Sequence, residues 1–280
     1  MASGLLTRRR FCAGLVAATT LPAFAEDRSP VEVLDFDWID TTRQRPVPVR
    51  LYRPVQVRRE PLSLAVFSHG IGGSRRGYSY LGRHWAEQGM ASLHLQHVGS
   101  DRQLWIGNPL SLVGRLQGAA QESEAIARVQ DLRFALDRVL AGEAGTVVDD
   151  TRIVAAGHSY GANTTLLAAG ARVEREGRVI DLREPRIRAA IVLSAPPFYG
   201  EREPERILAG IRLPSLHVTA TQDIINIPGY YSGADDRLRV FQAIGSTPKV
   251  LAMFDGGSHS IFTDRTNTGG SELNPQVKAA

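Results

Sequence analysis

Cysteine is all but missing from this chain. Cys12 is the single one in 280 residues, and it lies in a stretch that reads as a removable leader. Without that stretch no cysteine remains, which excludes a disulfide framework and a Cys-ligated metal. A long apolar run is missing too. The apolar stretch 12–21 is too short for a helix to cross a hydrocarbon core of roughly 30 Å, so no stable membrane span is expected. No repeat or low-complexity tract is present, and no basic patch argues for nucleic acid. The formal charge of +4 is itself misleading, because residues 1–25 hold three arginines and no acids. The remainder has 30 Lys+Arg against 29 Asp+Glu, a net of +1. With 43% hydrophobic and 22% charged residues, the composition is that of a folded protein and argues against disorder. The length suffices for a core without staples, and one domain is expected over residues 26–280.

The N-terminus carries Thr7-Arg8-Arg9-Arg10-Phe11, then the apolar run, then Ala23-Phe24-Ala25. Paired arginines, a short apolar segment and small residues at the cleavage positions resemble a bacterial twin-arginine signal. The protein is therefore expected to be exported, to the periplasm or beyond, with Glu26 as its mature start.

Residues 31–39 and 47–52 alternate in part and predict an antiparallel ribbon. Pro46, Pro48 and Pro54 favour an edge position for it. The continuous apolar run 64–67 suits a buried parallel strand. A helix is predicted over 78–88, ending at Gly89, and a strand over 91–97. Residues 98–120 read as irregular and polar. Ile126, Val129, Leu132, Leu136 and Val139 fall near helical spacing and predict an amphipathic helix over 121–140. Strands are predicted at 152–158, 187–194, 216–220 and 250–254, with a helix over 160–172. Strands alternating with helices imply a mainly parallel sheet covered on both faces. The tail beyond 263 is polar, and a helix could begin near Pro275 as the chain stops, so the long terminal helix of such folds is expected to be absent or cut short.

Gly157-His158-Ser159-Tyr160-Gly161 sits between a predicted strand and a predicted helix. A tight strand-to-helix turn exposes a serine hydroxyl and strains its backbone, so the residues two positions away must be small. Ser159 is the candidate nucleophile. The Tyr160 backbone N–H, at the helix N-terminus, would face an oxyanion formed beside it. A second donor is expected in Ser68-His69-Gly70-Ile71-Gly72-Gly73-Ser74, and Ile71 is the choice because its backbone alone is needed. That loop could instead cradle a phosphate, but no Lys-Ser/Thr pair follows it.

In hydrolases whose nucleophilic serine sits on a strand-to-helix turn of this kind, the acid and then the base follow the serine along the chain. Of seven histidines, His259 in Gly256-Gly257-Ser258-His259-Ser260 follows the last strand and is the candidate base. His158 is expected to point away, and His217 to be a core or supporting residue. His94 and His97 lack a third ligand at metal spacing, so no metal is expected. Asp223, at the exit of the strand before, is the candidate acid, with Asp181, Asp236 and Asp255 as rivals.

With these residues placed, the chain resembles the bacterial dienelactone-hydrolase-like group of α/β hydrolases related to platelet-activating-factor acetylhydrolase. The resemblance covers about residues 31–264. Its carriers are the 67–74 loop beginning Phe67-Ser68-His69-Gly70, Arg128-Val129-Gln130-Asp131-Leu132-Arg133, the Gly157 to Gly161 turn, and Ser258-His259-Ser260-Ile261-Phe262-Thr263-Asp264. It implies the α/β-hydrolase fold with about eight strands, no cofactor, and hydrolysis of a carboxylic ester, small or lipid-like. Ser159, His259 and the N–H groups of Ile71 and Tyr160 carry over by position. The acetylhydrolases place their acid at the end of the strand after the nucleophile helix, where this chain has Ser194. The acid is therefore expected one strand later, as in dienelactone hydrolases, at Asp223. Dienelactone hydrolases use a cysteine nucleophile, and this chain has a serine. A peptidase or amidase on the same fold, or a non-catalytic secreted binding protein, are the rival readings. Residues 98–120, with Trp105 and Leu110, and 196–212, with Phe198 and Tyr199, are expected to shape the acyl pocket.

Overall fold

The computed structural model describes residues 30–57, 60–201, 203–227, 230–264 and 274–279. The leader expected over 1–25 lies outside the described residues. The chain opens with β1 (Val31–Asp40) and β2 (Arg45–Pro54), paired antiparallel along their whole length. Next come β3 (Leu62–Ser68), α1 (Ser79–Glu87) and β4 (Ala91–Leu95). A segment of two 3-10 turns leads into α2 (Leu112–Ala119) and then α3 (Glu122–Leu140). β5 (Val148–His158) feeds α4 (Tyr160–Ala169). A hairpin of β6 (Arg172–Arg175) and β7 (Arg178–Asp181) precedes β8 (Ile187–Leu193). α5 (Pro204–Leu208), β9 (Ser215–Gln222), the short pair β10 (Ile225–Ile227) and β11 (Tyr230–Ser232), and α6 (Ala234–Ala243) follow. β12 (Lys249–Ser258) and α7 (Asn274–Ala279) end the described chain.

Eight strands form the main sheet in the order β1-β2-β4-β3-β5-β8-β9-β12. β2 runs against both neighbours, and the pairs from β4 to β12 are parallel. β3 and β4 are buried over most of their length, and β5 from Ile153 onward apart from half-buried Val154, as the apolar runs require when helices cover both faces. Val47, Val49 and Leu51 belong to the buried cluster that also holds apolar residues of α3, α4 and α6, whereas Tyr52 faces the opposite way against Ala86 of α1. Period-two alternation along one strand thus separates the two helical layers.

The ribbon of β1 and β2 lies at the sheet edge, as its prolines favour. β1 is the edge strand itself, and β2 tolerates its prolines because it pairs with β4 only over Val49–Tyr52, and Pro46, Pro48 and Pro54 lie outside that stretch. Two expectations need correction. Residues 98–120 are not irregular throughout, since α2 forms there. The helix after the turn stops at Ala169, where Gly170 adopts φ +114°, and 172–181 makes a hairpin instead, with buried Val173 opposite Ile180. The helix expected near Pro275 begins at Asn274, and Val277 is buried with Ile261 and Phe262.

The connectivity fixes where a site can form. From β3 the chain passes to β4 on one side, then returns to β5 on the other. Crossovers leave in opposite directions there, opening a crevice outside the carboxyl ends of β3 and β5. Ser68 at the end of β3 is level with Gly157 of β5.

Candidate active site

Ser159 sits on that crevice with φ 55° and ψ −122°, a backbone conformation costly for a side chain other than glycine. The strain is held from both sides. Its N–H donates to Leu193 O at 2.9 Å, and its carbonyl accepts from the N–H groups of Ala162 and Asn163. The flanking glycines are dictated by contact. A Cβ on Gly157 would lie 2.2 Å from Gly161 O, and one on Gly161 would lie 1.9 Å from Ser68 O.

Sheet register brings the candidate base to the candidate acid. β12 pairs with β9 at Phe254↔Ala220, then again at Ser258↔Gln222. Two extra residues on β12 bulge out between those points, around Gly256 and Gly257 with their positive φ. The bulge sets His259 and Asp223 side by side as the next residues of neighbouring strands. His259 Nδ1 lies 2.7 Å from Asp223 Oδ1, and His259 Nε2 lies 2.8 Å from Ser159 Oγ. Asp223 is fully buried, Ser159 nearly so, and His259 partly exposed.

Burial alone would raise the Asp223 pKa. The hydrogen bond and charge of His259 and the charge of Arg237 outweigh it and hold the carboxyl well below the usual range. Asp223 Oδ2 accepts from Thr219 Oγ1 at 2.8 Å, and Arg237 Nη2 reaches Oδ1 at 3.3 Å. An ionised Asp223 fixes the proton of His259 on Nδ1, leaving Nε2 to accept from Ser159; this tautomer is assigned from the network.

Tyr160 opens α4, so its N–H belongs to the helix-end donors without an intrahelical partner. Ile71 follows Gly70, and a Cβ on Gly70 would come within 3.2 Å of Ser159 Cβ. The Gly70 carbonyl shares a peptide plane with the Ile71 N–H. It is tied within the loop by Gly73 N–H at 3.0 Å and His69 Nδ1 at 2.7 Å. A planar trans peptide points its C=O and N–H in opposite directions, so these bonds turn the Ile71 N–H out of the loop. His69 Nε2 accepts from His97 N–H at 3.1 Å, which puts the His69 proton on Nδ1. Burial, then the charges of Arg128 and His97, hold His69 neutral with its pKa well below 6.5.

The rival acids lie elsewhere. Asp181 pairs with Arg172 on the hairpin, Asp236 caps α6, and Asp255 accepts from Thr221 on the exposed bulge. His158 does point away from the serine hydroxyl; its Nδ1 meets Tyr78 Oη at 2.8 Å. His217 bonds Ser215 Oγ and packs on Phe241. His94 and His97 sit in separate buried networks, and among the described residues no group of three His, Cys, Asp or Glu could hold a metal. Trp105 donates from Nε1 to Gly72 O at 2.8 Å, bracing the Ile71 loop. Leu110 and Tyr199 are exposed and Phe198 packs on the core. Sequence reasoning missed Thr219, Arg237 and Tyr78, none of which carries a motif. Thr219 alone left a trace, four residues before the acid on a strand whose end was already singled out.

No protein-family model matches the chain, and no curated protein matches it. Solved structures do match. A ferulic acid esterase from Streptomyces cinnamoneus is 22% identical, with 91% of this chain and 84% of that one covered at a TM-score of 0.60. A dienelactone hydrolase from Anabaena variabilis is 14% identical, covering 88% and 96% at 0.57. A cold-adapted esterase from an Arctic intertidal metagenomic library is 17% identical, covering 82% and 86% at 0.54.

The chain has the α/β-hydrolase fold.

At these identities the similarity speaks to the fold, and activity must be argued from the residues. In this chain the strand-to-helix turn holds a serine. That serine lies in one hydrogen-bonded row with His259 and Asp223. Among the described residues no helix is long and apolar enough to cross a membrane.

Proposed function

We propose that this protein is a serine carboxylic-ester hydrolase working through an acyl-enzyme. The observation that carries the reading is the row Asp223–His259–Ser159, with contacts of 2.7 and 2.8 Å, ending on a strained and nearly buried serine. Ser159 Oγ attacks the ester carbonyl while His259 Nε2 takes its proton. Asp223 holds the imidazole in place and stabilises the cation that forms. The N–H groups of Ile71 and Tyr160 hold the oxyanion. Collapse expels the alcohol, which leaves with the proton from Nε2. A water then attacks the acyl-serine, giving its proton to His259 Nε2, and as the acyl–Oγ bond breaks His259 returns that proton to Ser159 Oγ and the acid is released. Ester-cleaving neighbours of the same fold support esters over amides, and the substrate is a small or lipid-like ester. The Arg8-Arg9 leader supports export by the twin-arginine route as part of the same proposal.

The test is labelling with a fluorophosphonate and turnover of p-nitrophenyl esters by the purified chain and by Ser159→Ala. Labelling and turnover by the parent and neither by the variant are expected. Full esterase activity in Ser159→Ala would sink the assignment.

A further inference from the structure

Arg128, on α3, is fully buried behind the serine turn, and the proposed chemistry does not use it. A guanidinium stays charged in a protein, and although burial lowers the pKa of Arg128 to about 10, it remains a cation at neutral pH. Among the described residues its hydrogen-bond partners are all neutral. Nε donates to Thr164 Oγ1 at 2.8 Å, Nη1 to Ser100 Oγ at 2.7 Å, and Nη2 to the His69 carbonyl. The nearby carboxylates are engaged by other cations: Glu124 by Arg45, and Asp131 by Arg43 and Arg45. For stability alone an apolar side chain would serve as well as a buried charge.

Two of the three partners of Arg128, the His69 carbonyl and the Thr164 hydroxyl, lie on the two segments that offer oxyanion donors. His69 O lies two residues before the Ile71 N–H. Thr164 Oγ1, held by Nε, donates in turn to Tyr160 O at 3.2 Å. The guanidinium carbon also lies 4.7 Å from the centre of the Tyr160 ring. One rigid, planar cation therefore spans the gap between the end of β3 and the start of α4.

We propose that Arg128 is a positioning residue that sets the spacing of the Ile71 and Tyr160 N–H groups and adds a buried positive charge behind them. The proposal rests on the reading of those two groups as oxyanion donors. It concerns transition-state binding more than substrate binding, since the negative oxygen exists only after attack.

Three variants of the full chain test it: Arg128→Met, Arg128→Lys and Thr164→Val. Each is assayed for kcat and KM on p-nitrophenyl acetate, and for inhibition by phenylboronic acid, which adds to a serine as a tetrahedral anion. Thermal melts check folding. For Arg128→Met, kcat should fall on the order of 10²-fold with KM within about threefold, and boronate affinity should fall in parallel. Arg128→Lys should recover about tenfold by restoring charge without the planar fork. Thr164→Val, with the charge in place, should lose part of kcat. If Arg128→Met does not fold, parent-like kcat and boronate affinity in the other two variants overturn the proposal. So does a folded Arg128→Met whose loss lies in KM alone. Failure of the underlying reading looks different, because Ser159→Ala would then remain active whatever Arg128 does.

Discussion

His158, the residue before the proposed nucleophile, supports the proposed base. Its Nε2 donates to the backbone carbonyl of His259 at 3.0 Å, and the two rings lie 4.7 Å apart. Burial, then the neighbouring charge of His259, lowers the His158 pKa to about 3, so the ring is neutral. With the proton on Nε2, Nδ1 accepts from Tyr78 Oη. The turn that presents the serine and the turn that presents the histidine are thus joined through a side chain that touches neither the serine hydroxyl nor Asp223.

Tyr78→Phe should expose the weight of that link. Nδ1 of His158 would be buried without a donor, at a cost of about 1–2 kcal/mol in stability. The His259 turn would loosen, and a small misplacement of the base should lower kcat on the order of tenfold with little change in KM. Urea melts and steady-state kinetics on one preparation measure both. Parent-like kcat would show that the turn holds itself.

Asp223→Asn separates the acid from its rivals. An amide keeps the shape but presents an N–H or a neutral oxygen to Nδ1, so the tautomer that accepts from serine is lost. A fall in kcat of about 10³- to 10⁴-fold is expected. Asp255→Asn and Asp181→Asn should leave kcat within about twofold, since exposed ion pairs and surface contacts away from a site count for little. An inactive Asp255→Asn beside an active Asp223→Asn would reverse the assignment.

How much of this was readable beforehand differs from residue to residue. The sheet announced itself because buried parallel strands are continuous apolar runs, as 64–67 and 153–156 are. Ser159 was legible because its strain demands glycines at fixed offsets, and Cβ positions at Gly157 and Gly161 show that demand to be a matter of contact. His259 and Asp223 were placed by chain order. The bulge that aligns them is a register feature, visible in sequence only as Gly256-Gly257. Tyr78, Arg128 and Arg237 were not legible as partners because their contacts join distant segments with no local spacing. The helix expected over 160–172 overruns its end at Ala169 because Gly170 was not weighted as a stop, and the hairpin that follows at 172–181 carries no turn or periodicity signal strong enough to announce it.

Gly157→Ala and Gly161→Ala test the contact argument directly. The obstructing atoms, Gly161 O and Ser68 O, are backbone in hydrogen-bonded elements, so neither can move aside without deforming the turn. Overpacking of a well-packed site costs about 1–3 kcal/mol and sometimes more, and here the turn carrying Ser159 is the part deformed. Loss of fluorophosphonate labelling is expected in both, with a lowered melting temperature. A labelled, fully active Gly157→Ala would show that the turn has slack.

Acid should weaken this fold before its carboxylates titrate. Five buried histidines are held neutral. Burial lowers His94, His97 and His158 to about 3 and His217 to about 4, and His69 lies well below 6.5. In the unfolded chain each titrates near 6.5. Between about pH 6.5 and pH 4 the unfolded state therefore binds protons that the native state refuses, and stability rises with pH there. Each histidine contributes fully above about 6.5 and loses about 1.4 kcal/mol per pH unit below it. Asp223 and Asp131 also have depressed pKa values, but their contribution is lost only as pH falls below the usual carboxylate range near 4. At pH 5.5 the histidines together should remove several kcal/mol from a total that is about 5–15 kcal/mol for a typical domain. Urea midpoints should drop steeply from pH 7.5 to 5.5, with a slope equivalent to several protons taken up on unfolding. His217→Gln, remote from Ser159, should reduce that slope by about one proton. A flat profile over the same range would mean that these rings accept protons while folded.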